Sequence, residues 1–431
     1  MYSFKIALRS LFYRKTQYVS LFLVCMFGVA ISIAAICISN GMIHSLTQKA
    51  KIYYGGEITL MSAGEVSAKL AIYNYQEKYE TIKSLFDEKE VVVAPRMDFD
   101  GRKTMFYFEG EQALQQTIKG VKFDIEKELL GTLNFVAGGV DSVQERNAVF
   151  ISAPIAKILG TAIGDEITFQ LKTVDGYLNT VPIIVRGIFQ DSSVFGKYTS
   201  YMDFDFLKEA CGRPSHFANR ICIHFLNEDT LTDSDYHKIY DRLSEKLNMY
   251  PFVTDKYDYI DATDFFTKET WGFIPLSANL NDVEIMQLAM DAIITFIVII
   301  LTIIIIAGIG STYRVLIMKR ITEIGIYMAV GMKKRAIIIT LLFESLLLLV
   351  VGCIAGLILA GVFCQIVSAF DFSFIPSFDL FLEKGNLYPR VDVIKSVTVI
   401  VSVITVTLLA VFYSTLKSIK IMPVQALAVT E

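Results

Sequence analysis

The chain has 431 residues, 53% of them hydrophobic and 19% charged, with a formal net charge of −4. This is too apolar for an ordinary soluble multidomain protein and points to a membrane location. Nothing in the charge balance calls for a nucleic-acid partner.

Residues 1–17 hold Lys5, Arg9, Arg14 and Lys15 and no acid, so they read as a cytoplasmic amphipathic segment. Tyr18 to Ser39 is then free of charge. A helix needs about 20 apolar residues to cross hydrocarbon, and this run supplies a first span over 18–40. It is too long for the apolar core of a signal peptide, and no Ala-x-Ala site follows. Three more runs qualify, at 286–312, 336–370 and 393–416. The third contains one ionisable residue, Glu344, and exceeds a single crossing, so tilt is expected. Lys and Arg cluster before the first span, between the second and third, and after the fourth at Lys417 and Lys420. By the positive-inside rule both termini and residues 313–335 are cytoplasmic. Residues 41–285 and 371–392 then lie outside, with Asp291 at the outer mouth of the second span.

The 41–285 segment has 25 Lys and Arg against 36 Asp and Glu, which marks an acidic domain large enough for its own core. Alternating residues predict strands over 104–110, 165–171, 181–189 and 219–226, and helical spacing appears over 73–90, 152–160 and 233–248. The expected fold is therefore a four-helix membrane protein with a large α+β extracytoplasmic domain between helices 1 and 2. Cys211 and Cys222 lie where a disulfide is permitted, but Cys222 alternates with apolar residues, which favours a buried thiol. The four histidines lack metal-ligand spacing. Neither a P-loop nor a G-x-S-x-G elbow is present, so no catalytic group, metal or cofactor is expected in this chain.

Between the second and third spans stands "KRITEIGIYMAVGMKKRAIIIT". Ile317, Ile321, Ile324, Met328 and Met332 recur at helical spacing, with Lys319, Arg320, Glu323, Lys333, Lys334 and Arg335 as the polar complement. The pattern predicts an amphipathic helix at the membrane surface. A pure anchor for anionic headgroups accounts for the basic residues. Gly352, Gly356 and Ala360 form a small-xxx-small row in the third span, suited to close packing within one chain or between two.

This stretch and the span after it resemble the signature of the FtsX, MacB and LolC/LolE permeases. The likeness rests on Arg320, Glu323, Ile324, Gly325, Ala329, Gly331, Lys334, Arg335, Glu344, Gly352 and Gly356. It continues at the basic lead-in to the first span, at "NAVFISAPIAKILGTAIGDEITFQL", and at Pro423, Ala426 and Leu427 near the end. The resemblance implies a non-catalytic permease subunit of an ABC transporter in the bacterial inner membrane. It also implies that 313–335 holds a coupling helix, formed by those loop residues together with Met328, which docks on a partner. That partner is an ATPase present in two copies, which binds the ATP and magnesium. Only 17 residues precede the first span, so the expectation is a separate ATPase chain and a second permease, identical or paralogous.

"SNGMIHSLTQKAKIYYGGEITLM" is similar, through Asn40, Gly41 and Met42, to the segment after the first span of LolC and LolE. That likeness implies extraction of lipoproteins from the outer leaflet and transfer to a periplasmic chaperone. Burial of each CH2 is worth about 0.8 kcal/mol, so lifting acyl chains out of lipid needs an energy source. MacB-like export of peptides or small molecules, and FtsX-like signalling to an extracellular hydrolase, are the alternatives.

Overall fold

The computed structural model describes residues 15–64, 70–193, 195–226, 231–375 and 378–418. Residues 1–14 of the N-terminal segment and the motif Pro423, Ala426 and Leu427 lie outside the described residues. By packing the chain divides into two units. A helical unit comprises Met1–Met42, Gln287–Phe370 and Leu387–Glu431, and a sheet unit comprises Ile43–Met286 and Asp371–Asn386.

The helical unit is built from α1 (Lys15–Tyr54), α2 (Asn281–Lys319), the short α3 (Ile321–Ala329), α4 (Lys334–Ser368) and α5 (Val393–Ser418). The four long helices are each long and apolar enough to cross a membrane. Two of them outrun their apolar stretches: α1 continues to Tyr54 and α2 to Lys319. Residues 313–319, expected in the loop, are thus the last turns of α2, and Tyr313 is buried there with its hydroxyl donating to the Leu341 carbonyl (3.0 Å).

Small residues decide how these helices meet. A Cβ on Gly352 would lie 2.9 Å from Cys25 Sγ, and one on Gly356 would lie 2.8 Å from the Met26 carbonyl oxygen. The row in α4 is therefore occupied by α1 of the same chain. Gly28 of α1 likewise admits Ile305 of α2, and Gly41 admits the Tyr388 carbonyl. Side chains at these positions would force the helices apart. The burial is uneven: in the most apolar stretch of each helix, 50% of residues are buried in α1 and 11% in α2.

The sheet unit contains β1 (Ile58–Ala63), β2 (Ile72–Tyr73), β3 (Val91–Asp100), β4 (Met105–Phe108), β5 (Glu111–Leu114), β6 (Thr117–Val121) and β7 (Phe135–Gly138). It continues with β8 (Ala148–Ser152), β9 (Glu166–Lys172), β10 (Leu178–Phe189), β11 (Thr199–Asp203), β12 (Phe217–Ala218), β13 (Arg220–Phe225) and β14 (Thr270–Pro275). One mixed sheet runs β14-β1-β13-β3-β6-β11-β8-β10-β9-β4-β5, with β7 added alongside β10, while β2 pairs β12 separately. The pairs β6 with β11 and β8 with β10 are parallel; the other pairs are antiparallel. All four strands expected from alternation form. The expected helices form as Tyr75–Lys83, Ala153–Leu159 and Asp233–Ser244. Cys211 and Cys222 are both free and buried.

Two features fix the edges of this unit. Arg96, 1% exposed, pairs with the equally buried Glu126 and donates to the carbonyls of Ile52 (2.9 Å) and Tyr53 (3.2 Å). It thereby caps the C-terminal end of α1, where orphan carbonyls and the helix dipole favour a cation. The second is the 371–386 segment, expected as a plain outer loop, which packs as part of the sheet unit. Its buried Asp379 accepts from Gln190 Nε2 (3.2 Å), Ser192 N (3.1 Å) and Ser192 Oγ (2.7 Å).

Candidate coupling site

The short helix α3 follows α2 after one residue and is stopped at Gly331, whose φ of +92° is left-handed. That conformation suits glycine and reverses the chain into α4. Its polar anchor is a buried cluster. Arg320, expected among the solvated basic residues, is 4% exposed and bonds Glu344 through both terminal nitrogens, at 2.5 and 3.3 Å. Tyr18 of α1 donates to Glu344 Oε2 (3.0 Å) and accepts from Arg320 Nη1 (3.0 Å), while Arg320 Nε reaches Glu323 (3.2 Å). A charge inside an apolar bundle persists only with such partners. One cluster therefore ties the base of α1, the start of α3 and the first turns of α4.

The apolar residues of α3 divide between two faces. Ile321, Ile324 and Gly325 are buried, and Met328 and Met332 pack on the helical core. The face traced in the sequence is thus the one used within the chain itself. The opposite face carries Ile326 (49% exposed), Tyr327 (36%) and Val330 (82%), with Ala329, Gly331, Lys333, Lys334 and Arg335 also exposed. Spacing alone does not reveal this split, because apolar residues cover both sides of so short a helix. The excess of apolar residues over what one stripe requires was the available signal.

At the other end of the helical unit an apolar cleft of about 440 Å3 lies between α1, α2 and α5. Ile294, Val298, Ile299 and Ile303 form one wall, Asn40 and Ser39 contribute from α1, and Asp291 meets Lys395 at 3.3 Å across the mouth. Asn40 is therefore on the cleft, Gly41 is a backbone contact point, and Met42 is half-buried at the end of the unit.

Residues 294–423 match the family model of the FtsX-like permease C-terminal domain. The match runs from residue 294 within α2 through α5 and so contains α3, Glu344 and the small-residue row. It supports the FtsX, MacB and LolC family and suggests an ABC transporter permease, a class of non-catalytic subunit that works with an ABC ATPase. No curated protein matches the chain.

Proposed function

We propose that this chain is the permease subunit through which a separate ATPase drives an extracytoplasmic conformational change, and that α3 is the coupling helix. The observation that carries the reading is the two-faced α3. One face is locked to α1 and α4 by the Arg320–Glu344–Tyr18 cluster, and the other presents Ile326, Tyr327 and Val330 beside three basic residues. An exposed apolar face on a short helix fits a groove in a partner, and the buried cluster carries its movement to two long helices. Both termini and α3 are on the cytoplasmic side of the bacterial inner membrane in this reading, with the sheet unit outside.

The cargo is a lipidated protein, whose acyl chains enter the apolar cleft beside Asn40. Two ATPase copies and a second permease complete the transporter, and a periplasmic chaperone receives the product. Val330→Asp together with Tyr327→Asp should abolish co-purification of the ATPase while the chain still inserts and melts normally. Unchanged ATPase recovery would remove α3 from the interface. Mass spectrometry of the purified complex tests the cargo: acylated peptides support it, and an adaptor protein without lipoprotein would replace it with export in the MacB manner.

A further inference from the structure

The sheet unit holds a second cavity, of about 560 Å3, that the coupling mechanism does not use. One wall is aromatic. Tyr53 and Tyr54 from the last turn of α1 stand with Phe195, their ring centroids 5.3 and 6.3 Å from it. The facing wall is charged, with Asp98, Asp100, Arg102 and Arg220.

The charges do not cancel. Asp98 is shared by Lys119 (2.7 Å) and Arg220 (3.0 Å), and Asp100 is paired with Arg102 (2.8 Å). Arg102 and Arg220 line the cavity against Asp98 and Asp100, and Lys119, 1% exposed, stands behind the lining as a third cation. Arg220 engages Asp98 through Nη2, and its Nη1, buried within the cavity wall, has no hydrogen-bond partner among the described residues, while the side chain as a whole is 19% exposed. The Lys119 ammonium already sits 3.8 Å from the centre of the Tyr53 ring, so a ligand cation has no claim on that face. Gln116 and Thr117 add neutral polar groups to the lining.

We infer that this cavity is a binding site for a small organic carboxylate with an apolar or aromatic body, held by the Arg220 side and by the Tyr53–Tyr54–Phe195 wall. A cavity of this size takes a ligand up to that of a short peptide with a free C-terminus. The arginine supplies a charge-assisted bond to the carboxylate, and the rings bury the rest. The inference is independent of the transport reading.

The test uses the full chain in detergent, with N-acetylphenylalanine as probe and N-acetylphenylalanine amide as its uncharged twin, followed by titration calorimetry and saturation-transfer NMR. The carboxylate should bind at least about tenfold more tightly than the amide, the equivalent of 1.4 kcal/mol. Arg220→Gln should erase that preference. Because Arg220 also pairs Asp98, a second variant on the exposed lining, Gln116→Glu, adds repulsion without touching the ion pairs and should weaken the acid several-fold but not the amide. Equal binding of acid and amide, no binding of either at millimolar concentration, or unchanged affinity in Gln116→Glu would each overturn the assignment.

Discussion

Arginine holds α1 at two places, and it does so by different chemistry. In the helical unit Arg320 reaches α1 through a side chain, the Tyr18 hydroxyl, and is neutralised by Glu344 of another helix. In the sheet unit Arg96 reaches the backbone carbonyls of Ile52 and Tyr53 and is neutralised by Glu126. The first arrangement joins side chains from α1, from the start of α3 and from α4. The second is a cap that fixes a helix end to a sheet. The contrast teaches that similar buried ion pairs can join three helices through side chains in one place and satisfy a helix end in another.

The largest expected effects break these clamps. Arg96→Met strands the Glu126 carboxylate and two carbonyls in the core and should destabilise the sheet unit by about 3–5 kcal/mol, read as a lowered thermal transition of the purified chain. Glu344→Gln removes the buried carboxylate from the terminal nitrogens of Arg320, leaving Glu323 at its Nε, and should cost about 3 kcal/mol in stability. Loss of cargo-stimulated hydrolysis is the expected readout if the proposed ATPase coupling holds. A smaller change tests helix packing. Gly356→Leu drives a side chain into Met26 and Val29 and should cost roughly 1–3 kcal/mol, whereas Gly361→Leu, which meets open space, should be tolerated.

The cavity charges give a pH signature that sharpens the contrast, since Arg96 and Arg320 do not titrate in the working range. Burial lowers the Lys119 ammonium to about 8 despite Asp98 beside it. Burial works against the Asp98 charge, but Arg220 and Lys119 outweigh it and hold the carboxyl below its usual value. The depressed carboxyl contributes stability above the ordinary Asp range, which is lost as pH falls through its folded value. The depressed lysine gives a slope of the same sign in a more alkaline window. Between about 8 and the ordinary 10.5 the unfolded chain holds the proton that the folded chain releases, so stability rises with pH by up to about 3 kcal/mol. Lys119→Met should flatten that alkaline rise in a melting-temperature profile. The mildest expected loss is at Asp379→Asn, which weakens three hydrogen bonds of the 371–386 segment and should cost about 1–2 kcal/mol.

Much of this was readable from residue patterns, for physical reasons. Long uncharged runs leave little choice but a helix, and alternation in 165–171 and 181–189 reflects strands with one face in the core. The strands that alternation misses, such as β8 with Ala148–Ser152 wholly buried and β3 with most of its length buried, are covered on both faces, and a two-sided apolar run carries no period. The site was half legible. Glu344 stood out as an intramembrane acid, yet its partner Arg320 was hidden within a basic cluster that topology alone explains. The inward and outward faces of α3 became distinct only when α1 and α4 were in place.

Gly41 carries one more consequence. With no side chain it lets the Tyr388 carbonyl and Pro389 come to backbone distance, and Arg390 N then donates to the Cys37 carbonyl (2.9 Å). The α1 side of the apolar cleft is therefore stitched to the segment leading into α5, main chain against main chain. The third wall, α2, is the least buried of the long helices and meets α1 deeper down at Gly28 and Ile305. Two walls of the cleft are thus joined backbone to backbone, while the third is held to them through side chains, by Ile305 against Gly28 and by the Asp291–Lys395 pair at the mouth.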